Sequence, residues 1–209
     1  MLEMSIKADM KPITKRLTKI HKKQIPFAAT NAINTTLFQI MKAEKAQMPK
    51  KLDRPTKFTT KAFKVDKAKK TTLSGNIHIT PIRAKYLKYQ VEGGVRHGRT
   101  GVPYTKNIKL NKYGNIPMRR KGLIKNKNQF YGTIKGIEGV WERGHYSKKG
   151  KFTTQGKSRS TSVRLLVAME SDVNYKKRFP FYEIGKGVVR SRFQRNFNRA
   201  LARALATAK

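Results

Sequence analysis

The sequence predicts an α+β protein: a small antiparallel sheet packed by long N-terminal helices and a long C-terminal helix, with an extended basic arm or loop insertion. Three observations predict it. Apolar residues recur every three or four positions at both ends of the chain, and they alternate with polar ones in short segments between. From Gly93 to Ile137 there are eleven Lys and Arg and no acid. With 209 residues the chain can build one sizeable core. The expected layout is a single domain over 1–209, with helices in 1–50, a sheet and motif region in 53–96, basic arm or loops in 97–162, and a strand and final helix in 163–209.

Residues 5–24 read as a first helix, with Ile6, Met10, Ile13, Leu17 and Ile20 on one face and Pro12 as a kink or true start. Pro26 is expected to interrupt the chain, and a second helix runs from Phe27 to Met48 on Ala29, Ile33, Leu37, Ile40, Met41 and Glu44, ended by Pro49. Asp53 to Thr60 reads as an ordered loop in which Pro55 holds Arg54 extended. Phe63 and Val65 alternate in one strand, Asn76 to Thr80 form another, and the two make a hairpin. Ile82 to Val91 reads as a short helix, and Gly93-Gly94 supplies backbone angles other residues avoid or lets a neighbouring chain approach. Ile108-Lys109-Leu110, Phe130 to Ile134 and Gly139 to Glu142 are expected short strands, 144–162 a loop or hairpin tip, and Val163 to Met169 a buried strand. On the last helix Val189, Phe193, Phe197, Leu201 and Leu205 repeat every fourth residue. Arg192, Arg195, Arg199 and Arg203 are expected on nearly the opposite side, as an arginine rail.

Charge dominates the composition, with 49 Lys and Arg against 11 Asp and Glu for a net +38. Self-repulsion on that scale calls for a polyanion or an acidic protein surface as partner. Candidate contacts are Arg119-Arg120-Lys121 and the rail of Arg192, Arg195, Arg199 and Arg203. Tyr104, Tyr113, Phe130, Tyr131, Tyr146 and Phe152 lie interleaved with the charges and either stack on bases or anchor loops. The chain has no cysteine, which removes disulfides and thiol chemistry. Its apolar runs are too short for a membrane helix, and lysines occupy the positions where a signal peptide would be apolar. A soluble, unexported protein is expected, assembled in the cytoplasm, without catalytic residues, metal or cofactor. His21, His78, His97 and His145 share no ligand spacing, and Glu138 with Glu142 is the only carboxylate pair at helical spacing, too few for metal-dependent phosphoryl chemistry.

The order of residues adds a resemblance. Arg54, Pro55 and Phe58 follow the helix that ends near Met48-Pro49; Tyr86, Leu87, Gln90, Gly93, Gly94 and Arg96 come next; Tyr175 to Tyr182 and the alanine-leucine ending of the last helix close the pattern. This order resembles the prophage minor tail protein Z family over roughly 13–96 and 163–207. The resemblance implies a structural virion protein, a tail-completion component at the head-proximal end of a long phage tail. It implies a ring homo-oligomer, expected as a hexamer, touching tail terminator, tail tube or head-tail connector proteins, with phage DNA possible in a basic lumen and no membrane contact. The alternative is a stand-alone, sequence-independent nucleic-acid-binding protein.

Overall fold

The computed structural model describes residues 2–7, 19–104, 106–116, 124, 127–147, 149–154 and 162–207, for 19–23 the backbone alone. The fold is α+β, antiparallel sheets packed against long helices, as the periodicities predict. Two compact units emerge: 1–93 with 176–209, and 94–175.

The first unit holds β1 (Glu3–Lys7), α1 (Lys19–Lys51), α2 (Lys57–Thr60), β2 (Phe63–Asp66), β3 (Ser74–Ile79), α3 (Pro81–Val91) and α4 (Phe181–Ala206). Where a helix is expected from Ser5, the chain is a strand: Met4 and Ile6 turn inward between exposed Glu3, Ser5 and Lys7, and β1 pairs antiparallel with β3. Two-residue alternation wins there over the longer helical spacing. Met10, Pro12, Ile13 and Leu17 lie outside the described residues.

Pro26 does not interrupt α1, which runs through it and on past Pro49. A proline inside a helix costs about 3 kcal/mol. The buried Ile25, Ala28, Ala29, Ala32 and Ile33 outweigh that cost by packing on either side of it. After Asp53 the chain reverses with Arg54 at φ 42°, not extended. The Arg54 guanidinium grips Asp53 through two hydrogen bonds of 2.9 Å, and it holds that carboxyl below its ordinary range. Thr56 then caps α2 by accepting the Thr59 N–H.

The hairpin forms as expected, in a sheet of order β1-β3-β2. Its connection is tied to α1 by Asn34, which accepts the Ala68 N–H at 2.7 Å and donates to the Ala68 carbonyl at 3.3 Å. One core gathers Leu37 and Ile40 from α1, Ile77 and Ile79 from β3, Leu87 and Val91 from α3, and Phe179 and Phe181. Phe63 stacks on Phe181 at 5.9 Å and tilts against Phe179 at 6.2 Å.

The second unit takes in the stretch expected as a basic arm or loops, and it is built on a five-stranded sheet that includes the strands expected at Phe130 to Ile134, Gly139 to Glu142 and Val163 to Met169. Strands β4 (Gly94–Pro103), β5 (Gln129–Ile134), β6 (Ile137–Tyr146) and β8 (Ser162–Tyr175) are ordered β4-β8-β6-β5, with β7 (Phe152–Thr153) on β6, all antiparallel. Lys135 and Gly136, both at positive φ, form a two-residue turn that sets Ile134 opposite Ile137. The small core is Val140, Leu166 and Val167, covered by Ile108 and Ile116. Ile108-Lys109-Leu110 is therefore no strand. Tyr104 donates its N–H to the Leu166 carbonyl at 2.9 Å, Asn107 Nδ2 reaches the Leu165 carbonyl at 2.7 Å, and the turn between them lays Ile108 on the core. Gly93 and Gly94, at φ 77° and 103°, make the exit from the first unit, as their pairing predicts.

Candidate polyanion interface

Helices α1 and α4 pack against each other along their length. The face of α4 that meets α1 carries Gly185, Val189, Asn196 and Ala204. This differs from the expected stripe of Val189, Phe193, Phe197, Leu201 and Leu205. A four-residue repeat overshoots a full turn by about 40° per step on a helix of 3.6 residues per turn, so the stripe winds off the contact face. Val189 and Phe193 pack on the core, whereas Leu205 is 40% exposed.

The same winding moves the arginines. Asn196 marks the centre of the buried face, and Arg192, Arg199 and Arg203 lie within about 60° of it by helical geometry. The rail is therefore not opposite the packed face but along its border, with Arg195 further round. All four side chains are exposed, and none takes part in an ion pair among the described residues.

Beside Arg199 and Arg203 the seam opens into a cavity of about 560 Å³. Its α1 wall is a ladder of Asn31, Thr35 and Gln39, and its floor is the Gln39–Asn196 contact. A second cavity, about 380 Å³, continues past Gln39 between Lys42 and Arg192. No acidic residue lines either one. The sequence carried a signal for this wall that charge counting misses: Asn31, Thr35 and Gln39, uncharged and polar, repeat every fourth residue along the helix.

Arg119, Arg120 and Lys121 lie outside the described residues. Comparison with protein-family models, curated proteins and solved structures finds no match.

Several of the motif residues come together on α2, α3 and the stretch leading into α4. Arg83 donates Nε–H to the Phe58 carbonyl at 2.7 Å and lies over the Phe58 ring at 4.1 Å. The Tyr86 hydroxyl meets that of Thr59 at 3.1 Å, and Leu87 is buried. The Gln90 carbonyl accepts the N–H groups of both Arg178 and Phe179 at 2.8 Å, so the middle motif and the C-terminal one form a single junction. Pro55 lies between Arg54 and the Thr56 cap, while Arg96 is half-buried on β4 of the other unit.

The carboxylates of β6 are engaged in ion pairs. Glu138 and Glu142 lie on a strand rather than a helix. Glu142 is buried and takes Arg164 through two hydrogen bonds, while Gln129 holds its other oxygen at 3.1 Å. Glu138 meets Arg99 at 3.1 Å and the Tyr131 hydroxyl, a bond that raises the tyrosine pKa. Among the described residues no three His, Asp or Glu side chains gather as a metal site, and no helix is long and apolar enough to cross a membrane.

Proposed function

We propose that this chain is a structural component of a tailed-phage virion, a tail-completion protein at the head-proximal end of the tail. It acts by assembly and electrostatics, with no bond made or broken. The observation that carries this reading is the Gln90 junction. The stretches that resemble the prophage minor tail protein Z family, far apart in sequence, meet at one carbonyl and one aromatic cluster of Phe63, Phe179 and Phe181. Motif stretches from Phe58 to Gln90 and from Arg178 to Phe181 that fold into one unit support inheritance of that unit as a whole.

In this reading the chain forms a ring, a hexamer by the resemblance, against tail terminator, tail tube or connector proteins, and its free arginines hold DNA or an acidic neighbour without reading sequence. The test is mass spectrometry of purified particles, with imaging to locate the chain, together with particles that lack it. Defective joining or DNA placement is expected in those particles. Normal, infectious ones would overturn the reading.

The exposed arginines, unpaired among the described residues, also favour a second reading, a stand-alone nucleic-acid-binding protein. Sedimentation with bulk nucleic acid rather than with particles would select it.

A further inference from the structure

We infer that the groove between α1 and α4 is a track for the sugar-phosphate backbone of a nucleic acid strand. The inference deepens the polyanion part of the proposed function and rests on that part alone. From Phe27 to Ala46 the two cavities follow α1 for about 28 Å at 1.5 Å per residue. Arg203, Arg199, Arg192 and Lys42 succeed one another along that length. A row of cations with no acid beside it fits a polymer of regularly spaced negative charge.

The uncharged lining decides between a nucleic acid and an acidic protein. Asn31, Thr35 and Gln39 line the groove with amide and hydroxyl side chains, the Gln39 oxygen being held by Asn196. Phosphate contacts draw on Arg, Lys, Ser, Thr, Asn and Gln in this combination, and they fix position without sequence. A protein helix seated in a groove instead needs apolar pockets for anchors at spacings of three, four and seven. Apart from Phe27 at one end and Val188 at the other, the apolar lining is alanine. Asn196, whose amide is tied to Thr36 and Gln39, keeps the floor rigid.

The experiment uses the full chain and a fluorescein-labelled 20-nucleotide single strand of mixed sequence, with anisotropy read over a salt series. R199Q/R203Q is compared with the charge-matched control K61Q/K64Q, whose two lysines are exposed near and on β2. The groove variant is expected to bind at least tenfold more weakly. Its slope of log affinity against log salt should flatten by about 1.4, near 0.7 per lost single-strand contact. The control should stay within threefold of wild type. Equal losses in both variants, or none in either, overturn the track.

Because the chain has no cysteine, Thr35→Cys also takes a single environment-sensitive dye in the groove wall. Its emission should shift on adding the strand and return with salt. A tighter, larger response to polyglutamate would overturn the track in favour of an acidic protein. Entry into particles is scored separately for each variant. A chain that enters particles but binds no strand in the groove overturns this inference alone; groove binding without particle entry overturns the virion reading alone.

Discussion

Asn196 Nδ2 on α4 lies 2.9 Å from both Thr36 Oγ1 and Gln39 Oε1 on α1, so one amide joins neighbouring turns of the facing helix. Thr36 in turn donates to the Ala32 carbonyl at 2.8 Å. A polar group this buried fixes the register of two helices whose other contacts are apolar and tolerant of sliding. Asn196→Ala should cost about 1–3 kcal/mol, because the fully buried Thr36 hydroxyl loses the amide that donates to it, whereas part-buried Gln39 can turn to water. The double change Asn196→Leu with Thr36→Val should cost less than Asn196→Ala, since donor and acceptor leave together. Urea denaturation followed by far-UV circular dichroism measures both, and a double variant weaker than the single one would refute the account.

Glu44 has both carboxylate oxygens buried without a hydrogen-bond partner among the described residues. Burial, with the nearby Glu183 charge adding to it, pushes its pKa up to about 9. The carboxyl is thus neutral in the folded protein at pH 7 and ionised in the unfolded chain. Its folded pKa lies above its ordinary value, so the stability it contributes is complete below about pH 4.5 and is lost as pH rises toward 9. One proton corresponds to about 1.4 kcal/mol per pH unit across that window. Glu44→Gln should remove this slope, and Glu44→Met should also gain stability at pH 8. Parallel stability profiles for wild type and Glu44→Gln between pH 5 and 9 would contradict the prediction.

Two glycines make opposite predictions from similar crowding. A Cβ on Gly139 would strike the Val167 carbonyl oxygen of the neighbouring strand, which cannot move without breaking the β6–β8 ladder. A Cβ on Gly185 would strike the sulfur end of Met4, a flexible side chain. Gly139→Ala is expected to destabilise its unit by about 1–3 kcal/mol, as overpacking does. Gly185→Ala should cost under about 1 kcal/mol, helped by the higher helix propensity of alanine. Thermal melts of the two variants decide, and the reverse order would be the damaging result.

Glu142 and Arg164 form the buried ion pair of the second unit, with Arg164 also lying over the Phe152 ring at 4.3 Å. Removing one partner strands the other charge. Glu142→Ala should therefore cost about 3 kcal/mol, the lower end for such pairs because Arg164 keeps some contact with water. Replacing both by Met should recover much of the loss. Trp141, adjacent in β6 and donating its Nε1–H to the Gly132 carbonyl at 3.1 Å, reports the transition by fluorescence. An unchanged Trp141 transition in Glu142→Ala would argue against a structural role for the pair.

Fold class, hairpin, α3 and the last helix were legible in the sequence because each rests on local period. What escaped was decided by tertiary context. Pro26 signals a break, but the apolar ring of Ile25, Ala28 and Ala29 around it is stronger. Ile6 satisfies a helical stripe with Met10 and a strand alternation with Met4 alike, and only a partner such as β3 chooses. In the basic stretch the strands at Phe130 to Ile134, Gly139 to Glu142 and Val163 to Met169 were legible too; what escaped was β4 and the joining of all of them into one sheet, because a core of Val140, Leu166 and Val167 needs little apolar sequence. The arginines of the candidate track were found by charge, but their place beside the seam was not. A four-residue repeat was treated as straight, although it winds around the helix.

The pairing of Gly94 with Tyr175 makes the entrance and exit of the second unit direct neighbours across a ladder. Their Cα atoms are separated by only about 5 Å, as in any antiparallel pair. The whole of 94–175 thus begins and ends side by side in its own sheet, and the first unit is a host whose ends a short linker is expected to join. The host should refold around such a splice, with Gln90 still gripping Arg178 and Phe179. In modular terms 94–175 is a passenger, expected to tolerate divergence or exchange while the host keeps its aromatic cluster and its arginines.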